Sequence, residues 1–263
     1  MKRFRLVVVV VGLLVGLPAW AHEWSKTYTI TGKPDLRIET SDANISITTW
    51  NQNAIEAKVI SSHYQIGEGG LHIDEHQTGD SVSIEVRYPH HNLTIGWGQH
   101  RVDIIIQMPR EGRANLHTGD GKIEINGLKG EMELRSGDGS ENLEGVDGKL
   151  RASTGDGSIR ANGRFDELNL KTGDGRVEVR AEQGSSQATG WRLETGDGTV
   201  TLEVPSDFAA DVDLHTSDGH IDLEMPVTTV GNIREHEIHG KLNGGGNPLT
   251  IRTGDGSIHL RKG

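Results

Sequence analysis

The residues of this 263-residue chain with the most chemistry to offer are seven aspartates. Each is set in the same tetrad of Thr or Ser, Gly, Asp and Gly, with Ser217 replacing one glycine. Asp120, Asp138, Asp156 and Asp174 succeed one another at intervals of 18 residues, and Asp197, Asp218 and Asp255 follow at 23, 21 and 37. A side chain returning at a fixed interval is brought into a column by a repeating fold. Neighbouring strands lie about 4.8 Å apart, and hard oxygen ligands at that spacing could hold Ca²⁺. The nine-residue Gly-Gly-x-Gly-x-Asp repeat of calcium-binding β-rolls does not occur here. Glycine-flanked Asp is also good corner chemistry, because Gly permits positive φ and Asp bonds nearby backbone. In water, carboxylates about 5 Å apart repel by only ~0.8 kcal/mol before salt screening, so the column needs no cation. The corner reading is preferred, and Ca²⁺ stays open as the alternative.

Other groups point less clearly to a site. Of thirteen histidines, the local clusters are His90-His91 with His100, and His236 with His239. Both fall in loop-like insertions without a diagnostic ligand spacing, and solvated loop histidines are the simpler reading. His22, if exposed as a new N-terminus, could chelate copper with a second His. There is no G-x-S-x-G, no H-E-x-x-H and no phosphate-binding glycine loop. Acidic pairs such as Asp166-Glu167, or Glu235 with Glu237, read as solvated faces. Some parallel β-helices cleave polysaccharides with carboxylates on one sheet face. The outward positions here, Lys122, Glu124, Arg160, Arg176 and Glu178, mix both signs instead. Aromatic content of 4% leaves few platforms for sugars, Trp97 and Trp191 being the best. No catalytic or cofactor-binding residue is assigned, and the chain is expected not to be an enzyme.

The elements that must position the tetrads follow from apolar spacing. Leu116, Leu134, Leu170, Leu193, Leu214 and Ile251 stand two residues before a tetrad. Five and seven residues after its first member come Ile123 and Ile125, Ile159 and Ala161, Val177 and Val179, Val200 and Leu202, Ile221 and Leu223, or Ile258 and Leu260. Alternation at period two marks strands, and the tetrad shifts its parity, which makes it a corner. A second corner is expected near Asn126-Gly127, Gly145 to Gly148, and Asn162-Gly163. Glu141 breaks the rule by occupying an apolar slot in the second repeat, where Ala152 also weakens the preceding strand. A two-stranded unit cannot bury its apolar side alone, so the units must stack. The expected fold is all-β: a β-solenoid, a helix-like stack of short strands with ~18-residue coils and an irregular N-terminal cap.

Lys2, Arg3 and Arg5, the apolar run Leu6 to Leu17 and the Ala19-Trp20-Ala21 pattern make residues 1–21 a signal peptide, too short for a membrane span. Its loss removes three of 27 Lys and Arg and none of 38 Asp and Glu, taking the net charge from −11 to −14 with His neutral. Such a surface repels nucleic acid and anionic lipid, and nucleic-acid binding is not expected. No Cys exists, which excludes disulfides, thiol chemistry and the lipoprotein route. Residues 22–117 read as the cap and first coils, with degenerate corners at Thr40 to Ala43 and Thr78 to Ser81. Residues 118–263 read as the regular solenoid, continuous with the cap and interrupted between Val227 and Pro248.

Two runs carry a resemblance. Ile104 to Pro109 followed by Leu116-His117-Thr118-Gly119-Asp120-Gly121 is one, and Gly240 to Gly246 with Thr253 to Ile258 is the other. Over roughly residues 36–261 the chain resembles the bacterial putative-adhesin family, exported repeat proteins whose domain is otherwise of unknown function. The resemblance implies a β-solenoid in an extracytoplasmic setting, periplasmic or on the cell surface, and supplies no catalytic residues. The expected partner is an envelope or surface protein or a polysaccharide, with no transmembrane segment after signal cleavage.

Overall fold

The structure is a computed structural model that describes residues 22–89, 101–186, 189–229 and 235–263. The expected signal peptide, the His90, His91 and His100 cluster and Trp97 lie outside the described residues. Twenty-one strands occur among the described residues, in chain order. They are β1 (Glu23–Thr29), β2 (Asp35–Thr40), β3 (Asn44–Trp50), β4 (Ala54–Ser61), β5 (His72–Thr78), β6 (Ser81–Arg87) and β7 (Val102–Pro109). Next come β8 (Glu111–Thr118), β9 (Ile123–Asn126), β10 (Lys129–Ser136), β11 (Glu141–Thr154), β12 (Ile159–Thr172), β13 (Val177–Ala181) and β14 (Trp191–Glu194). The last are β15 (Val200–Val204), β16 (Ala210–Thr216), β17 (Ile221–Leu223), β18 (Val227–Thr229), β19 (Glu237–Leu242), β20 (Pro248–Thr253) and β21 (Ile258–Lys262).

These strands form a β-solenoid with two lateral ladders. One ladder runs β5, β6, β2, β8, β10, the second half of β11, the second half of β12, β14, β20, β16, β19 and β18. The other runs β1, β4, β7, β3, β9, the first halves of β11 and β12, β13, β15, β21 and β17. Rungs pair in parallel, and the tetrad is the corner that carries the chain from the first ladder to the second. Antiparallel strands appear only toward the ends among the described residues: β1, β4 and β5 at one, β18 and β19 at the other. The expected second corner lies inside single 14-residue strands at β11 and β12. There the register shifts between Leu143 and Val146, where Gly145 takes φ 60° as the extra residue of a bulge.

Period-two patterning is read out directly in burial. Leu116, Leu134, Leu170, Leu193, Leu214 and Ile251 are all buried, as are Ile123, Ile125, Ile159, Val177, Val200, Leu202, Ile258 and Leu260. Ile221 and Leu223 differ, being half-buried on the outermost rung of their ladder. Sequence order and stacking order part company at both ends. The rung of β2 and β3 sits between that of β6 and β7 and that of β8 and β9. Likewise, the chain's last rung, β20 and β21, is inserted between β14 with β15 and β16 with β17. The aspartate column therefore runs Asp197, Asp255, Asp218 at that end rather than in chain order. Removing residues 248–263 is expected to speed hydrogen exchange in β14, β15, β16 and β17 together, because each loses a partner. Unchanged protection in all four would mean that the rung above drops into the gap.

The corners are held by hydroxyls and by the closeness of backbones. Every tetrad Thr after Thr118, which donates to Ala43 O at 2.9 Å, donates to the carbonyl of the second Gly one rung away: Thr154 Oγ1 to Gly139 O at 2.9 Å, Thr172 to Gly157 at 2.8 Å, Thr216 to Gly256 at 2.7 Å. Several also accept from their own tetrad, as Thr172 Oγ1 does from Gly175 N at 3.2 Å. None of the tetrad glycines has positive φ, so the expectation that conformational freedom selects them is corrected. A Cβ on Gly157 would lie 2.1 Å from the Gly139 carbonyl oxygen, and one on Gly175 would lie 1.9 Å from that of Gly157. Proximity to the neighbouring rung is what demands glycine.

The expected corner at Thr78 to Ser81 is also corrected. It is the turn of an antiparallel hairpin between β5 and β6, with Thr78 paired to Ser81. Gly79 has φ 59°, and the Asp80 carboxylate accepts from Thr31 N at 2.7 Å. Two residues between alternating strands suit a hairpin turn rather than a solenoid corner.

Candidate binding faces

Each ladder presents its outward residues as rows running across the rungs, because parallel in-register pairing puts equivalent positions side by side. On the face built from β2, β8, β10, β11 and β12, one row reads Asp35, Arg113, Glu131, Lys149. The next reads Arg37, Asn115, Glu133, Arg151. Opposite charges meet across rungs: Arg113 reaches Glu131 at 2.6 Å, Lys149 reaches it from the far side at 3.8 Å, and Arg151 reaches Glu167 at 2.6 Å. A shallow groove of about 540 Å³ runs over this part, lined by Arg37, Arg113, Asn115, Glu131, Lys149 and Arg151 among others.

The second face repeats the device. Arg160 bonds Glu178 at 2.8 Å, Arg180 bonds Glu203 at 2.7 Å, and at the end His259 meets Asp222 at 2.9 Å and Arg261 meets Glu224 at 3.4 Å. The hydrogen bond from Arg160 holds the Glu178 carboxyl below its usual range. A groove of about 370 Å³ follows this row. At the bulged second corner, Arg164 binds Asp166 and Asp147, each at 2.6 Å, and Asp166 is held below the usual carboxylate range chiefly by that hydrogen bond. Exposed pairs of this kind contribute little to stability singly. Their consequence is presentation: each charged group is tied to a neighbour on a fixed rung.

The tetrad aspartates lie elsewhere. Asp120, Asp138, Asp156, Asp174, Asp197, Asp218 and Asp255 are all exposed along the corner between the two faces. Each of five carries its carboxylate over the first glycine of the next rung; a Cβ on Gly155 would come within 3.0 Å of Asp138 Oδ1. No ion pair involves these seven among the described residues, so balanced charges occupy the faces and uncompensated negative charge the corner. Among the described residues no group of three or more His, Asp or Glu is arranged to hold a metal ion.

His236 Nδ1 lies 2.9 Å from the Gly219 carbonyl, whereas His239 lies 3.1 Å from Glu237 and 3.4 Å from Asp213, so the two do not converge. His22 Nδ1 lies 3.1 Å from the Tyr64 carbonyl. Trp191, expected as a sugar platform, is instead buried at 2% exposure, with Phe208 at 4.8 Å and Phe165 at 6.4 Å between ring centroids. It follows the inward parity of β14, which the position of the tetrad at Thr195 already implied.

Glu141 is the other residue that sequence flagged and structure explains. It stands between Ile123 and Ile159 in register, fully buried, and neither carboxylate oxygen has a hydrogen-bond partner. Burial pushes its carboxyl up to about 8.

No helix among the described residues is long and apolar enough to cross a membrane. Several solved structures are similar to this chain. One is a putative cell adhesion protein from Clostridium sporogenes, at 14% identity and a TM-score of 0.43, covering 92% of this chain and 99% of that one. Another is a putative adhesin from Bacteroides fragilis, at 10% identity and a TM-score of 0.46, covering 90% and 96%. A putative lipid binding protein from Parabacteroides distasonis matches at 14% identity and a TM-score of 0.42, covering 91% and 96%. No curated protein matches in sequence. The model of one family spans residues 29–261, nearly the whole described fold, and the chain belongs to that family, Toastrack DUF4097.

Proposed function

We propose that this protein is a non-enzymatic, exported adhesin-like solenoid, serving in cell-envelope adhesion or scaffolding by laying its lateral faces against an envelope protein or polysaccharide. The observation that carries this reading is the row in which acceptors and donors alternate from rung to rung at fixed spacing, Asp35, Arg113, Glu131 and Lys149, beside a second polar row of Arg37, Asn115, Glu133 and Arg151. An extended polar ligand lying across the rungs would meet a regular array, and rigid groups lose little entropy on binding. The carboxyl raised furthest, Glu141, is sealed inside the core and out of a substrate's reach. The corner aspartates lie along the edge between the faces, away from these rows.

The test compares cells exporting the full chain with cells exporting two variants, scored for adhesion to purified envelope polysaccharide and to envelope protein. Arg113→Glu with Lys149→Glu and Arg151→Glu should cut adhesion several-fold while lowering the melting temperature only modestly, since exposed charges interact weakly one by one. Asp138→Asn with Asp156→Asn and Asp174→Asn should leave adhesion unchanged, and the parent's melt should not move with millimolar Ca²⁺ or chelator. A ligand bound only by the native state must raise the melting temperature. A saturable calcium-dependent rise lost in the aspartate variant would make this a calcium-binding solenoid instead. Full adhesion by the charge-reversed face would end the proposal.

A further inference from the structure

The end of the stack formed by β16 and β17 is closed on one side and open on the other. On the first ladder, β16 is covered by β19, and β19 by β18. On the second ladder, β17 pairs with β21 and with no other described strand. The extended run is longer than the three residues of β17, because His220 O accepts from Ile258 N and Glu224 N donates to Leu260 O. In a parallel ladder, bonding to one side alternates along the strand. The amides of Ile221 and Leu223 therefore point away from β21, toward the open edge. Ile221 and Leu223 are half-buried, whereas Ile258 and Leu260 on the rung below are fully buried. Among the described residues, backbone groups and the aliphatic pair are thus left only partly covered, side by side.

The charge rows say what would fit there. In the row ending at β17, Arg180 meets Glu203 and Arg261 meets Glu224, and in the neighbouring row His259 meets Asp222. Both rows end on a carboxylate whose other side faces the position of the next rung. The side chains of Asp222 and Glu224 are 63% and 60% exposed. Continuing the alternation calls for basic residues at two positions of one face, with aliphatic residues between them to cover Ile221 and Leu223. A second copy of this chain fits poorly, since antiparallel pairing of two β17 strands sets Asp222 against its own equivalent, and like charges directly opposite destabilise.

We infer that the open edge of β17 is a docking site for an extended segment of a partner protein, one alternating aliphatic with basic residues, which joins the solenoid as its next strand. Strand addition of this kind takes affinity from backbone hydrogen bonds and specificity from alternate side chains. This site lies at the end of the stack, separate from the lateral faces, so its failure would leave the adhesion reading standing.

The probes are two short capped peptides, one alternating valine with lysine and one alternating valine with glutamate, titrated against the full exported chain. The lysine peptide should bind at least tenfold more tightly than the glutamate peptide. Leu223→Pro removes an outward amide without touching a bond to β21 and should weaken binding at least tenfold. Asp222→Lys with Glu224→Lys should reverse the preference toward the glutamate peptide, a result that misfolding cannot produce. Asp138→Asn with Asp156→Asn and Asp174→Asn should leave the affinity unchanged. Loss of binding in that last variant, with none in Leu223→Pro, would assign the peptide to general acidity and overturn the inference. So would concentration-dependent dimerisation abolished by Leu223→Pro, which would give the edge to a second copy.

Discussion

Replacing Glu141 with isoleucine should stabilise this protein, and by an amount that grows as the pH rises. The side chain is fully buried between Ile123 and Ile159, and neither oxygen has a partner. Desolvation alone lifts its carboxyl from 4.5 to about 8. Below about pH 4.5 both folded and unfolded chains hold the proton, and the group costs only its unmade hydrogen bonds. Between about 4.5 and 8 the unfolded chain releases the proton while the native one keeps it, so stability falls by ~1.4 kcal/mol per pH unit. Above 8 the loss is complete, on the order of 5 kcal/mol. At pH 8 Glu141→Ile should therefore melt about 15 °C above the parent, with the gap closing toward pH 5. Glu141→Gln should flatten the pH dependence but recover less, because its amide is still unpartnered. Carboxyls held below their usual range, such as Asp166 and Glu178, act oppositely, adding stability that is lost as pH falls through their folded values. The parent should be most stable in mildly acidic solution. A constant difference between parent and Glu141→Ile from pH 5 to 8 would refute the account.

Much of this was legible in the chain because the repeat writes burial at a fixed offset from each tetrad. The positions of Leu116, Ile123, Ile159 and Val200 all follow from counting, and so does the odd placing of Glu141. Counting also places Trp191 inward, although its type suggests a surface platform. The order of rungs was not legible. Successive tetrads at Thr195, Thr216 and Thr253 carry the same local signal, and nothing in one tetrad says which other it will lie against. That choice depends on how the connections cross the ends of the stack. Asn243 helps fix one of them: its side-chain amide donates to Ser206 O at 2.9 Å and to Phe208 O at 2.8 Å. The lateral faces were half legible: mixed charge at Lys122, Arg160 and Glu178 was evident, but which pairs meet required the register. The turn at Thr78 to Ser81 misled because four residues with Gly and Asp serve a hairpin as readily as a corner.

The glycines give the sharpest separation of two causes that look alike in a sequence. Gly157 has ordinary φ, yet a Cβ there would sit 2.1 Å from the Gly139 carbonyl oxygen, 2.6 Å from its carbon and 2.7 Å from Thr154 Oγ1. Neither neighbour can give way: the carbonyl accepts the Thr154 hydroxyl at 2.9 Å, and both belong to the buried hydrogen-bonded corner. Accommodating the methyl means parting two rungs at a place where every rung rests on the next. Gly157→Ala should therefore cost about 3 kcal/mol or more, above the ordinary range for overpacking because backbone must move, and lower the melting temperature by about 10 °C. Gly145 presents the opposite case. Its φ is 60°, and nothing lies within 4 Å of the place a methyl would take. Gly145→Ala should cost only the left-handed penalty of about 1–2 kcal/mol. Should the two variants melt together, backbone proximity would not be the reason that glycine closes each tetrad. If Gly157→Ala is far the worse, the repeat is a record of how closely the rungs stack, and the aspartate between its glycines is the residue the corner leaves free to face water.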